Sequence, residues 1–168
     1  MKLLAIDPGD VQSAYVIVGA DRRPIKTGKV PNDELRTSIR SWVSDRLIDH
    51  VAIEMIASYG MPVGREVFET CVWIGRFQEA AVSAIPVDAT LTLTVAYRRD
   101  VKLHHCHDSR AKDSNIAQAL VDRFAPGQPN KGKGTKAEPG WFHGFAADIW
   151  QAYALGVYVA DQTAGYQP

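Results

Sequence analysis

The spacing of apolar and polar positions changes period along the chain, and the changes mark out the elements. Lys2–Asp7 holds a short apolar run, Leu3-Leu4-Ala5-Ile6, that ends in a carboxylate and reads as a buried strand. Pro8-Gly9-Asp10 breaks it as a turn. Ser13–Val18, with Tyr15, Val16, Ile17 and Val18, predicts a second strand, Asp21-Arg22-Arg23-Pro24 a hairpin turn, and Ile25–Val30 a third strand nearer an edge, so the three form an antiparallel meander. The spacing then lengthens to three and four: Leu35, Ile39, Trp42, Val43, Leu47 and Ile48 line one face of a helix running to about Asp49, with Asn32 or Asp33 as its cap. His50–Glu54 is a fourth strand, ending in a carboxylate as the first does, and Ala57–Gly64 is a loop of turn formers. Arg65–Ser83 is a long helix apolar on more than one face (Val67, Phe68, Cys71, Val72, Trp73, Ile74, Phe77), either packed deep in the core or shared with a partner subunit through Trp73 and Phe77. A short fifth strand is expected at Ile85–Asp88, then helices at about Val95–His105, Asp113–Phe124 and Gly144–Asp161. Pro126–Gly140, rich in Gly, Pro and Lys, reads as loop. The chain is thus expected to be a single α/β domain over 1–168, with a mobile basic loop at about 126–143.

Composition adds little until charge is located. The chain has 168 residues, 46% hydrophobic and 23% charged, the profile of a globular domain with a real core. No apolar run approaches membrane-spanning length, and the first one is too short for a signal peptide. Cys71 and Cys106 form no CxxC, which points to a reduced, cytoplasmic protein. Net charge is zero, yet Arg98–Lys136 carries nine Lys/Arg against four Asp, so this stretch is +5 and the remainder −5. That asymmetry fits a polyanion-binding surface beside an acidic site, and equally a solvated surface of mixed charge.

Asp7 and Glu54 end two apolar strands, and neighbouring strand ends in one sheet bring their last residues together. Buried and unpaired, such carboxylates are costly. Asp148, amid Phe145, Ala146, Ala147, Ile149 and Trp150, is expected to face inward from an apolar helix. Three converging carboxylates repel unless cations neutralise them, and hard oxygen donors select Mg²⁺ or Mn²⁺. Taken singly, Asp7 also reads as a turn residue, because Asp-Pro-Gly is a common turn.

Leu4-Ala5-Ile6-Asp7-Pro8-Gly9-Asp10-Val11-Gln12-Ser13-Ala14-Tyr15 resembles the opening motif of RuvC-type Holliday-junction resolvases, members of the ribonuclease H-like superfamily. Val51-Ala52-Ile53-Glu54 is similar to the second motif of that family, and Ala146-Ala147-Asp148-Ile149-Trp150-Gln151-Ala152 to the last. Arg110-Ala111-Lys112-Asp113-Ser114-Asn115-Ile116, with Gly140 through Trp150, looks closest to the bacteriophage branch. The resemblance implies a ribonuclease H-like fold, a mixed five-stranded sheet flanked by helices. It also implies two-metal hydrolysis of DNA phosphodiesters at branched junctions, with two Mg²⁺ (Mn²⁺ substituting) and 5′-phosphate and 3′-hydroxyl products. Asp7 is then the bridging ligand, Glu54 and Asp148 complete the pair, and Lys112 steadies the scissile phosphate or the attacking water, or else is a plain surface lysine. Family members in cells place a second acid or a His three residues before the last Asp, where this chain has Phe145; Asp113, His143, or water held by Asp108 or Glu138 remain as fourth ligand.

Tyr59 and Met61, in the loop after Glu54, are candidates to wedge into a junction or stack on a base, or else to cover the core. Arg110, Lys112, Lys131, Lys133 and Lys136 are candidate phosphate contacts. A four-way junction has two strands to cut symmetrically, which suits a homodimer. His104-His105-Cys106-His107 imitates a zinc signature by composition only, since four consecutive residues cannot turn to one tetrahedral centre; a helix end near DNA fits them better. The remaining readings are a nuclease acting on RNA or on other DNA structures, and a DNA-binding module with weakened catalysis. An actin-like ATPase is excluded by length and by the lack of a phosphate-binding Gly-rich loop after Ile53.

Overall fold

A computed structural model describes residues 1–58 and 60–166. Tyr59, one of the expected DNA contacts, lies outside the described residues. The sheet is five-stranded and mixed, in the order β3-β2-β1-β4-β5. Its strands are β1 (Leu3–Asp7), β2 (Gln12–Val18), β3 (Pro24–Pro31), β4 (His50–Met55) and β5 (Thr92–Tyr97). The meander β1-β2-β3 is antiparallel as expected, while β4 and β5 run parallel to β1. The helices are α1 (Asn32–Ser44), α2 (Arg65–Ser83), α3 (Arg98–Cys106), α4 (Asp113–Phe124) and α5 (Ile149–Ala164).

The two-residue period of the strands divides the core in two. Leu4, Ile6, Tyr15, Ile17, Val51 and Ile53 turn to one face and pack with Leu35, Ile39 and Trp42 of α1 and Ile74 and Phe77 of α2. Leu3, Ala5, Ala14, Val16, Val18 and Ala52 turn to the other, beneath α3, α4 and α5. Helix α5 is buried along most of its length and lies directly on β1 and β2. It comes close because of Gly156: a Cβ there would stand 3.2 Å from the Ala5 Cβ and 3.5 Å from Val18 Cγ2.

A buried ionic cluster ties α3, α4 and the β2–β3 turn to α5. The fully buried Asp161 carboxylate accepts from Arg22 Nε (3.0 Å) and from Arg123 Nη1 (2.6 Å) and Nη2 (3.0 Å), and pairs with His104 Nε2 (2.8 Å). Burial works against the charge on Asp161, but the bonds from His104, Arg123 and Arg22 hold its carboxyl well below the ordinary range.

Several expected elements are corrected. Ile85–Asp88 is turn, with Val87 fully exposed; Pro86 removes a ladder donor, and the chain pairs with β4 only from Thr92 onward. Val95 therefore belongs to a strand and the helix starts at Arg98. Helix α1 stops at Ser44: Arg46 adopts a left-handed conformation (φ 57°) and the amides of Leu47 and Ile48 turn back to the Trp42 carbonyl. The last helix begins at Ile149 rather than Gly144, because Ala147 is left-handed (φ 38°) just before it. Phe145 is thus not on that helix. It is buried against Phe142, Trp150 and Tyr153 as a core residue, so comparing helix faces with Asp148 does not apply to it. Segment 126–143 contains a 3-10 turn at Pro129–Gly132 and a bridge between Gly134 and Pro139.

Candidate metal centre

Strand register builds the site. Asp7 pairs with Ala14, and Ala14 with Lys29. On the other side Ala5 pairs with Ala52 in parallel, which brings Glu54 level with Asp7, and Glu54 in turn pairs with Ala96. Lys29, Ala14, Asp7, Glu54 and Ala96 therefore form one row across the sheet, on the face that α5 covers. The row lies where β1, β4 and β5 end, the edge at which open sheets present their functional groups.

The backbone after Asp7 is fixed by three polar groups. Gly9 N–H donates to Ser13 Oγ (3.2 Å), Ser13 Oγ donates to Asn32 Oδ1 (2.6 Å), and Asn32 Nδ2 donates to the Gly9 carbonyl (2.9 Å). Asn32, expected as a cap, instead buries its amide to lock the Asp-Pro-Gly turn; α1 has no side-chain cap.

Asp7 is the least compensated acid of the site. Burial is the main force pushing its carboxyl up to about 8, with Glu54, Asp148 and Asp113 adding to the rise and Arg98 opposing it. No hydrogen bond or ion pair among the described residues reaches it. Burial also raises Glu54, with Arg98 acting against the rise through its charge and its hydrogen bonds. Arg98 Nη1 stands 3.2 Å from both Glu54 oxygens, and Nη2 stands 2.7 Å from Asp113 Oδ1. Asp148, directly before α5, does not face inward as expected: it is half-exposed and bonds Lys29 Nζ at 2.5 Å. As they stand, no three His, Cys, Asp or Glu side chains among the described residues are grouped closely enough to hold one ion. The donor set nonetheless fits a hard divalent cation: all oxygen, centred on a partly buried carboxylate that has no bonded partner among the described residues.

Of the other candidates, Asp113 is exposed and joins the site through Arg98, whereas His143 is exposed and its Nδ1 lies 3.3 Å from the Lys133 carbonyl. Asp108 accepts the Arg110 amide within its own turn. Arg110 and Lys112 are exposed ahead of α4, and Met61 is exposed on the loop after β4. Lys131 and Lys136 are exposed and Lys133 half-buried. His104 is turned inward to Asp161, and His105 to the Ala154 carbonyl with burial holding its ring down to about 4, so neither ring is presented at a surface helix end. Phe77 is fully buried inside the chain, and the exposed apolar face of α2 consists of Phe68, Val72 and Val82. Arg98 and Lys29 escaped the sequence reading. The signal for Arg98 was a cation directly after an alternating run, Thr92–Tyr97; Lys29 shows only once β3 is in register. Beside Arg98, a recess of about 320 Å³ is lined by Arg99, Lys102 and Ser109.

The chain matches no protein-family model and no curated protein. In structure it is similar to RuvC of Thermus thermophilus, with a TM-score of 0.65 and 17% identity over 99% of this chain and 98% of that one. It is similar also to T. thermophilus RuvC in complex with a Holliday junction substrate, with a TM-score of 0.63, 17% identity and the same coverage. The fold is RuvC-like and ribonuclease H-like, a mixed sheet flanked by helices. Among the described residues no helix is long and apolar enough to cross a membrane.

Proposed function

We propose that this chain is a metal-dependent endodeoxyribonuclease of the bacteriophage RuvC type, resolving four-way or otherwise branched DNA junctions. The observation that carries the reading is the row at the strand ends. Asp7 and Glu54 lie level on adjacent parallel strands, and both Asp148 and Asp113 act on Asp7 electrostatically. Asp7, Glu54 and Asp148 would hold Mg²⁺ or Mn²⁺, with Asp113 as the further ligand. When bound, the cation would supply Lewis acidity toward the scissile phosphate and lower the pKa of a water, and the products would carry 5′-phosphate and 3′-hydroxyl ends.

The chain's own residues have separate tasks. The Ser13–Asn32–Gly9 bonds keep the Asp7 turn rigid. Lys112 and Arg110 stand exposed on the approach to Asp113 and take strand phosphates, Lys112 nearest the scissile one. Lys131, Lys133 and Lys136, on a loop that we take to be mobile, add non-specific phosphate contacts. Met61 and Tyr59, the two loop residues expected to meet a base, would wedge at the branch. A second copy docks on Phe68, Val72 and Val82 of α2 and brings a second site to the opposite strand. The setting is the cytoplasm of a bacterial or phage-infected cell. A second reading, a DNA-binding module with weakened catalysis, is favoured by one observation: Glu54 and Asp148 are already engaged by Arg98 and Lys29.

The test is cleavage of a synthetic four-way junction with Mg²⁺ or Mn²⁺, against Asp7→Asn and against linear duplex and RNA. Junction cutting by wild type alone supports the proposal. Equal cutting by Asp7→Asn removes the metal assignment, and binding without cutting favours the module. Equal cutting of duplex or RNA replaces the junction with another substrate.

A further inference from the structure

The recess beside Arg98 is lined by charge of one sign. It measures about 320 Å³, and its walls are Arg98, Arg99, Lys102 and Ser109, three cations and a hydroxyl. That volume is at the lower end of the range of about 300–1,000 Å³ for ligand sites. Arg98 and Lys102 stand one turn apart on the same face of α3, and the chain beyond that helix returns Ser109 to them. The acids nearest in sequence turn elsewhere. Asp100 borders a separate groove with Tyr158 and Gln162, and Asp108 another with Asn115 and Gln118. Arg98 is committed to Glu54 and Asp113. Neither Arg99 nor Lys102 has an ion-pair partner among the described residues. Because Arg98 Nη1 stands 3.2 Å from both Glu54 oxygens, the recess opens one side chain away from the carboxylates.

We propose that this recess is a phosphate subsite, in which Arg99, Lys102 and the Ser109 hydroxyl hold one backbone phosphate of the DNA strand that reaches the carboxylates. The inference rests on reading the chain as a DNA-binding nuclease. An arginine fork and an ammonium that converge on one concavity match the oxygens of a phosphate, and a hydroxyl adds a neutral donor. Both cations keep part of their hydration while the recess is empty, so they carry no large desolvation cost. The subsite differs from Arg110 and Lys112, which are exposed ahead of α4, and from the lysines of segment 126–143. Contacts of that kind pass from one phosphate to the next, whereas a recess selects one and so fixes the register of the strand against Asp7 and Glu54. Arg98 is its inner wall and separates the bound phosphate from the carboxylates.

The experiment is binding of a fluorescent synthetic four-way junction to the full chain in EDTA, read by anisotropy across a range of NaCl concentrations. Each backbone phosphate near the branch is replaced in turn by an uncharged methylphosphonate. The double variant Arg99→Gln, Lys102→Gln, with folding confirmed by circular dichroism, should bind the unmodified junction about tenfold more weakly. Its salt slope should be shallower by about 0.9, the value for one phosphate. On wild type one methylphosphonate position, with its symmetry mate, should carry a penalty of similar size, and the double variant should lose that penalty while keeping any others. Arg99→Gln alone, at an exposed position, should already reduce it. A wild type with no such position, or a folded variant that retains the penalty in full, overturns the subsite and leaves the DNA reading standing. A wild type that binds no junction removes the DNA reading and the subsite with it. The wild-type scan and the exposed Arg99→Gln decide the matter even if the double variant does not fold.

Discussion

Replacing Asp7 with Asn should stabilise the ion-free protein, and by an amount that depends on pH. The Asp7 carboxyl lies at about 8 in the fold, mainly through burial, whereas in an unfolded chain it titrates near the ordinary value of about 3.9. Between these values the unfolded chain has released a proton that the fold retains, so the fold loses stability as pH rises from about 4 to about 8. The raised Glu54 acts in the same direction. At about 1.36 kcal/mol per pH unit the ceiling from Asp7 is about 5.5 kcal/mol; solvent reaching a carboxyl at the rim of the sheet, together with local relaxation, reduces this to about 2 kcal/mol. Asparagine has the same shape and no charge. In EDTA, Asp7→Asn should therefore exceed wild type by about 2 kcal/mol at pH 8.5 and match it near pH 4, a difference in Tm of about 4–8 °C for a domain of this size. Adding Mn²⁺ at pH 8.5 should raise the wild-type Tm and leave that of Asp7→Asn unchanged. Thermal and urea unfolding across the pH range, with and without the ion, read both effects. Wild type and Asp7→Asn following the same curve in EDTA would refute the claim that Asp7 is buried without compensation.

Two further changes probe the scaffold apart from the site. Asp161→Ala leaves Arg22, Arg123 and His104 without their shared acceptor and should cost about 3–5 kcal/mol in urea unfolding, with Asp161→Asn losing less because its amide still accepts. Gly156→Val pushes a branched side chain against Ala5 and Val18 and should cost about 1–3 kcal/mol, seen as a lower urea midpoint at an unchanged m-value.

What could be read from the sequence follows from how locally each feature is determined. Arg65–Ser83 and Asp113–Phe124 were legible to the residue because their apolar spacing is uninterrupted. The first four strands were legible because each apolar block stops at a turn former or a change of period. β5 was missed because Thr92–Tyr97 alternates Thr with apolar residues only weakly and runs without a break into the cationic helix that follows. The short Ile85–Asp88 run before it looked more strand-like, and a single proline decided against it. The start of α5 was missed because it depends on the left-handed Ala147, and an alanine gives no sign of such a bend.

The carboxylates and their cations differ in the same way. Asp7 and Glu54 were legible as a pair because each ends a strand, and a parallel register between the strands is enough to bring them level. Arg98 and Lys29 needed the whole sheet. Lys29 reaches Asp148 only because Asp7, Ala14 and Lys29 share a row, and Arg98 reaches Glu54 only because β5 ends beside β4. The acidic half of the site thus arises from strand ends, and its compensation from long-range register. A sequence reading is therefore biased toward counting acids and inferring metal ions to match them. Charges contributed by the fold appear only after assembly, here as Arg98 on Glu54 and Lys29 on Asp148.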